Sequence, residues 1–189
     1  MVFLISKVMK KLSEEIPSGF FLTKVEVISE SNLTNLSSDY CSARIVKYKA
    51  TDLYSYFICE GEGLGDNAML LKIKFSLMKG SMNSLRENNN DKLSYLLDKY
   101  ESSLIFSSKE VEDFCRKTGD DNYIHRGERG VVPGLLIIDK ILSNKNTKYN
   151  FSINFYNPVY AEQEVFINKK HREISGIYEG TLCFKIKIS

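Results

Sequence analysis

The same order of helical and strand patterns occurs twice along this chain, and this constrains the fold more than any other feature. In the first half, apolar residues at helical spacing over residues 2–12 precede four consecutive runs of β-forming residues. In the second half, an apolar helical pattern that begins at Gly134 precedes three or more such runs, which continue to the end of the sequence. Strands that follow one another directly favour antiparallel pairing, so the sequence predicts an α+β fold.

Four runs of β-forming residues follow the first helical pattern. Pro17 and Gly19 end the helical pattern that precedes them. The stretch GEGLG at residues 61–65 lies between strands and does not open a helix, so we interpret it as a flexible hairpin loop and not as a nucleotide-binding loop. The runs that predict strands are FFLTKVEVIS, ARIVKYKA, LYSYFICEGE and AMLLKIKFSLM, between residues 20 and 78.

The two apolar helices can be aligned without gaps. VFLISKVM at residues 2–9 matches LLIIDKIL at residues 135–142, with aliphatic residues or Phe at the first four positions and a lysine at the sixth. Ser6 then stands where the second helix has Asp139. Because the strand order agrees with this alignment, the sequence predicts a duplicated architecture whose first copy lacks everything that corresponds to residues 119–134.

A change in composition separates the two copies. Residues 81–103 are polar and Asn-rich and end in a short amphipathic stretch, which is typical of a linker. We therefore predict a first unit over residues 1–80 and a second over residues 104–189. In the second unit, SSKEVEDFCRKTGDD predicts a helix over residues 108–117 that stops at Gly119.

The loop after this helix holds the residues with the most evident chemistry. His125 is one of only two histidines, and histidine readily acts as a base or an acid near neutral pH. Asp120 precedes it by five residues and can orient the imidazole. Gly134, after Pro133, offers a backbone N–H at a helix N-terminus, where orphan donors and the helix dipole favour a developing negative oxygen.

A base beside an oxyanion donor suits removal of a proton next to a thioester carbonyl, or the reverse addition of water to a conjugated double bond. The residue types also allow a purely structural interpretation. In that case Asp120 and Asn122 are turn residues, His125 is a partly buried hydrogen-bonding group, and Gly134 only begins a helix.

Composition excludes several other classes of function. The 26 basic and 24 acidic residues give a formal net charge of +2, so nothing indicates nucleic acid or a membrane surface as a partner. The four cysteines lack metal-ligand spacing, so we expect reduced thiols and no metal site. The apolar run at the start of the sequence is too short to span a membrane, and we expect a cytoplasmic protein. His171, in the polar segment NKKHRE, is expected at the surface.

The segment FCRKTGDDNYIH resembles the signature of the MaoC-like or (R)-specific enoyl-CoA hydratases, in which an Asp and a His form the catalytic dyad on a hot-dog fold. Carried over by position, the resemblance implies Asp120 and His125 as the dyad and Asn122 as a further site residue that contacts the substrate. Tyr123 replaces the usual proline.

The segment HRGERGVVPGLLIID resembles instead the bacterial 3-hydroxyacyl-ACP dehydratases, in which the acid follows the helix-opening glycine by five residues. That register implies His125 as base, Gly134 as oxyanion donor and Asp139 as acid. In the dehydratases this acid comes from the partner copy, whose counterpart here carries Ser6. We therefore favour Asp120 as the partner of His125 and retain Asp139 as the alternative.

The two resemblances imply a double hot dog in which residues 1–80 form a half without a catalytic loop. They imply a hydratase or dehydratase that interconverts 3-hydroxyacyl and 2-enoyl thioesters of CoA or acyl carrier protein, with no metal or other cofactor. A hot-dog thioesterase and a non-catalytic acyl-binding subunit of a lipid or polyketide assembly line are the alternatives. A homodimer is compatible with each of these interpretations.

Overall fold

The computed structural model describes residues 2–12, 14–29, 40–51, 54–65, 68–80, 100–142 and 150–189. Within these ranges it contains three α-helices, one short 3-10 helix and nine strands. The helices are α1 (Val2–Lys10), α2 (Ser108–Thr118) and α3 (Gly134–Leu142), and the 3-10 helix is Tyr123–His125. The strands are β1 (Phe21–Ser29), β2 (Tyr40–Ala50), β3 (Tyr54–Gly65), β4 (Ala68–Gly80), β5 (Ser102–Ile105), β6 (Phe151–Phe155), β7 (Glu164–Lys170), β8 (Glu173–Tyr178) and β9 (Thr181–Ile188).

The nine strands form one antiparallel sheet in the order β2-β3-β4-β1-β6-β9-β8-β7-β5. In each half, the first strand after the apolar helix pairs with the last strand of that half, and two more strands follow outward. The second half has β5 as an additional strand at its outer edge. The halves join where β1 pairs with β6, from Lys24 opposite Asn154 to Val27 opposite Phe151. The antiparallel sheet predicted from the sequence is confirmed, and both halves have the same strand order.

Helix α1 packs on β3 at two glycines. A Cβ atom on Gly61 would lie 2.2 Å from Val8 Cγ1, and one on Gly63 would lie 2.9 Å from the Leu4 methyl carbons. The prediction that GEGLG forms a hairpin loop is therefore wrong. These residues end β3, and the missing side chains let the helix approach the sheet closely.

The two apolar helices bury corresponding positions. Val2, Leu4 and Ile5 are buried in α1, and the residues aligned with them are buried in α3: Leu135, Ile137 and Ile138. The alignment fails at Phe3, which is 52% exposed, whereas its counterpart Leu136 is buried. The two helices also contact each other, so their apolar faces share one core with the sheet.

The predicted linker falls mostly on residues 81–99, which lie outside the described part of the chain. Its last residues, Ser102 and Ser103, belong to β5 and pair with Ile167 and Phe166 of β7. The sequence pattern did not predict this short edge strand. None of the described helices is long and apolar enough to span a membrane.

Candidate functional site

The end of helix α2 fixes the position of Asp120. The helix begins with a capping box, in which Ser107 and Glu110 satisfy each other's backbone N–H groups. It ends at Gly119, whose φ of 66° is the left-handed conformation that glycine adopts at a helix C-cap. The Asp120 N–H donates a hydrogen bond of 3.0 Å to the Cys115 carbonyl, so the residue leaves the helix in a defined direction.

The imidazole of His125 is held at one nitrogen and faces Asp120 with the other. Its Nδ1 lies 2.6 Å from the Val131 carbonyl oxygen, and its Nε2 lies 3.5 Å from Asp120 Oδ2. Because a carbonyl oxygen can only accept a hydrogen bond, Nδ1 carries a proton in this contact. In the neutral imidazole the lone pair is then on Nε2, as a general base beside a carboxylate requires.

A tight loop brings the Val131 carbonyl to the histidine. The Val131 N–H donates to the Ile124 carbonyl at 2.8 Å, and this closes the loop on itself. Gly130 permits the close approach, since a Cβ atom there would lie 2.4 Å from the His125 carbonyl oxygen. The Val132 N–H donates to the Val159 carbonyl, which fastens the loop to the remainder of the second half.

Gly134 is the first residue of α3, as the sequence predicted. Its N–H is one of the first amides of the helix, which have no acceptor within the helix itself. A Cβ atom on Gly134 would lie 2.8 Å from the Phe155 ring and 3.0 Å from Leu22, so these two side chains pack directly against the backbone. The residue therefore presents an amide dipole in a tightly packed, apolar setting.

Asn122 contacts the first half of the chain. Its side-chain oxygen accepts a hydrogen bond of 2.8 Å from the Gly19 N–H, and its side-chain nitrogen donates one of 2.9 Å to the Phe20 carbonyl. Its own N–H donates to Asp120 Oδ1 at 3.1 Å. The contact between Asn122 and a substrate, which the resemblance implies, stays a prediction.

The two candidate acids occupy different places. Asp120 lies beside His125, with 35% of its side chain exposed, and it lines a cavity together with the histidine. Ser6 lines the same cavity from α1. Asp139, which the helix alignment matched to Ser6, is not among the residues described around this cavity. The structure thus brings His125 together with Asp120 and not with Asp139.

A cavity of about 480 Å³ extends from the Asp120–His125 pair between the two halves of the chain. Gly134 and Asn122 also lie in its wall. The remaining wall is mostly apolar, and its side chains come from both halves. These include Met9, Phe20, Leu22 and Phe75 from the first half and Leu135 and Phe155 from the second.

The titratable groups around the site do not form a metal centre. No cluster of His, Cys, Asp and Glu with metal-binding geometry occurs among the described residues. No disulfide bond joins the cysteines in the part of the chain that the structure describes. Burial, with a smaller contribution from the Asp120 carboxylate, raises the pKa of the Cys115 thiol to about 11, so this thiol stays neutral beside the site. His171, the second histidine, is exposed at the turn between β7 and β8, also as expected.

The sequence predicted Asp120 and His125 as a pair, but it did not predict the group that orients the histidine. Nothing in the sequence indicated that the Val131 carbonyl orients His125, because any residue has a carbonyl. Gly130 was the available signal, since a glycine between the histidine and the helix indicates close backbone approach.

No family model and no curated protein matches the chain by sequence. Solved structures do match its fold. HtdX of Mycobacterium tuberculosis superposes with a TM-score of 0.74 at 9% identity, over 99% of this chain and 83% of HtdX. A MaoC-like dehydratase superposes with a TM-score of 0.66 at 8% identity, over 99% of this chain and 82% of that one.

A third structural neighbour is an acyl-ACP thioesterase of Bacteroides thetaiotaomicron. It superposes with a TM-score of 0.50 at 11% identity, over 89% of this chain and 75% of the thioesterase. At such low identities these similarities show the fold alone. The resemblance to MaoC-like proteins is confirmed at that level, and the chain has the hot-dog fold that it implied.

Proposed function

We propose that this chain, which shares the hot-dog fold of MaoC-like dehydratases, is a hydro-lyase that interconverts 3-hydroxyacyl and 2-enoyl thioesters. The observation that carries the proposal is the 3.5 Å approach of His125 Nε2 to Asp120 Oδ2, with Nδ1 fixed by a backbone carbonyl. This pair lines a largely apolar cavity, whose wall also includes the first residue of a helix, Gly134. A base, an acid and an oxyanion donor are the groups that the reaction requires.

In the dehydration direction, His125 Nε2 takes the proton from the α-carbon of the substrate. Negative charge develops on the thioester oxygen, and the Gly134 N–H at the N-terminus of α3 stabilises it. The C–O bond at the β-carbon then breaks, and the proton held by His125 passes through the Asp120 carboxylate to the departing hydroxyl, which leaves as water and restores the starting state. Hydration runs through the same steps in reverse.

The architecture fits a double hot dog, in which residues 1–80 and 104–189 are the two units and residues 81–103 connect them. The identical strand order of the two halves supports this. The first half would contribute wall residues to the cavity, such as Met9 and Phe75. The mostly apolar wall suits the acyl chain of a thioester.

The substrate would be carried on CoA or on acyl carrier protein, and the proposed chemistry needs no metal or redox cofactor. A cytoplasmic location and a homodimer stay predictions from the sequence. Loss of the conjugated enoyl absorbance of crotonyl-CoA tests the reaction directly, alongside longer enoyl thioesters and a carrier-bound substrate. We expect the wild type to hydrate at least one of them, whereas equal rates for wild type and His125→Ala with every substrate would refute the proposal.

A thioesterase is the second candidate, because the Bacteroides neighbour has the same fold. In that reaction Asp120 or His125 would activate water at the carbonyl, and a free thiol would be released. A thiol-reactive dye added to the same assay separates the two activities. A non-catalytic acyl-binding subunit is the third candidate, and it predicts binding of acyl thioesters with neither enoyl loss nor thiol release.

A further inference from the structure

We propose that Asn122 is a positioning residue through which the first half of the chain holds the Asp120–His125 pair in place. The inference rests on the proposed function of that pair, but not on the identity of the acyl group. It concerns the contact between the catalytic loop and the turn that precedes β1. Four hydrogen bonds meet at this one residue.

Two of the four bonds reach the proposed dyad through the Asn122 backbone. Its N–H donates to Asp120 Oδ1 at 3.1 Å, which leaves Oδ2 to face the histidine. Its carbonyl accepts the His125 N–H at 3.2 Å, which forms the 3-10 turn that carries the imidazole. A shift of Asn122 would therefore move both members of the dyad.

The other two bonds run through the side chain to residues more than 100 positions earlier. Asn122 Oδ1 accepts from Gly19, and Nδ2 donates to the Phe20 carbonyl, at 2.8 and 2.9 Å. The carboxamide of asparagine can accept a hydrogen bond from one backbone group and donate one to another at once. Both functional ends of Asn122 are thus engaged by the first half of the chain.

The turn at Gly19 is shaped to receive this contact. Gly19 has a φ of +92°, which side-chain-bearing residues rarely adopt, and it is buried. A Cβ atom on it would lie 2.8 Å from the Tyr123 hydroxyl, so the Tyr123 ring covers the glycine. Phe20 continues into the core, where its ring lies 5.2 Å from that of Phe57. The contact therefore connects the loop to a rigid part of the sheet.

A double-mutant cycle tests this role, with Asn122→Ala on one side and Gly19→Ala on the other. Gly19 does not line the cavity, so its substitution acts on the contact without touching substrate. Gly180→Ala is the matched control, because Gly180 also has a positive φ, of 74°, but has open space around it in the β8–β9 turn. Asn122→Asp adds a variant of nearly the same shape that keeps the acceptor for Gly19.

We expect Asn122→Ala to lower kcat for enoyl thioester hydration by about 100-fold with KM within about twofold, since a small misplacement of reacting groups has effects of this size. Gly19→Ala should lower kcat by about tenfold, the double variant should be no worse than Asn122→Ala, and Asn122→Asp should fall between the single variants. Gly180→Ala should match wild type. If the two single effects on kcat multiply in the double variant, the inference is overturned. A raised KM with unchanged kcat in Asn122→Ala would also overturn it, because that result indicates direct substrate binding.

A second readout does not need turnover. The chain has two histidines, so the imidazole ¹H–¹⁵N spectrum contains His125 and the exposed His171 as an internal reference. In Asn122→Ala and Gly19→Ala the His125 ring signals should shift and the Nδ1–H should exchange faster, with the His171 signals unchanged. Unaltered His125 signals in both variants would overturn the positioning role. If wild type hydrates no thioester while these signals shift as expected, the proposed reaction fails and the positioning role stands.

Discussion

Strands β1–β4 and β6–β9 follow the same order in the two halves of the sheet, yet Asp120, His125 and Gly134 of the candidate site all lie in the second half. Helix α3 is preceded along the chain by α2 and by the loop of residues 119–133, which carries Asp120 and His125. The position that is Ser6 in α1 is Asp139 in α3, and only Ser6 lines the cavity. The apolar pattern is thus common to both halves, and the polar residues of the candidate site come from one segment of the second half.

The first half also contributes to the candidate site. It supplies cavity wall, the long strands β2 to β4, and the Gly19–Phe20 turn that binds Asn122. None of these contributions requires an acid or a base.

Removal of the proposed base, His125, should have the largest effect on the hydration rate. We expect His125→Ala to lower the hydration rate by about 1,000-fold, within the range that general acid–base catalysis contributes. His171→Ala, at an exposed turn, should retain wild-type activity and gives the matched control. Loss of enoyl absorbance measures the rates. Similar rates for His125→Ala and His171→Ala would contradict a site in which His125 is the base.

The second-largest effect on the rate should come from the aspartate that acts with His125. Asp120→Asn should lower the rate by about 100-fold, because Asn keeps the acceptor for the Asn122 N–H but cannot protonate a leaving hydroxyl. Asp139→Asn should stay within about twofold of wild type, since Asp139 lies outside the described wall of the cavity. Both variants are assayed side by side. The reverse ranking would indicate that the working site joins His125 to α3 of another chain.

The role of the first half as a support predicts a stability effect. Gly61→Ala places a Cβ atom 2.2 Å from Val8 and 2.8 Å from the Ser42 carbonyl oxygen, so α1 must move away from β3. We expect the free energy of unfolding to fall by about 2 kcal/mol, as overpacking of a core does. Urea denaturation of the variant and wild type measures this change. A wild-type midpoint for Gly61→Ala would show that α1 does not rest on these glycines.

The smallest expected effect concerns the ion pair that ties α3 to α2. Lys140 Nζ lies 2.8 Å from Glu110 Oε1, and this hydrogen bond is the main reason why the pKa of the Glu110 carboxyl lies below its ordinary value of 4.5. Because the folded pKa is lower than the unfolded one, the stabilisation is present above pH 4.5 and is lost as the pH falls through the folded pKa.

Glu110→Gln should therefore cost about 0.5 kcal/mol of stability at neutral pH, a typical value for an exposed pair. Gln retains the acceptor of the capping box, so the helix cap is not the cause. Urea denaturation between pH 7 and about pH 3 follows the difference between the variant and wild type. The difference should shrink on acidification, and a difference that grows would contradict the sign.

Much of the site was predictable because its signals are local in the sequence. The helix predicted over residues 108–117 is Ser108–Thr118 in the structure, and it ends at Gly119 as expected. His125, Asp120 and Gly134 were singled out by residue type and spacing, and all three line one cavity. Their catalytic roles stay predictions until the variants are measured.

The remaining features could not be predicted because they depend on contacts between distant segments. The strand β5 has four residues, too few to give a pattern. GEGLG carries turn-forming glycines, and only the position of α1 above them explains why they continue β3. The bridge from Asn122 to Gly19 spans 103 residues, and no local pattern encodes such a pair.

The sequence by itself determined the elements: their periodicity, their glycine and proline boundaries, the repeated helix, and the loop that carries a histidine between acids and a helix start. The tertiary structure decided the partnerships. In the sequence, Asp120 and Asp139 are both aspartates that could act with His125. The direction in which the chain leaves α2 places Asp120 3.5 Å from the imidazole. Side-chain periodicity reports which face of an element is buried, but distances between elements follow from packing of the whole chain.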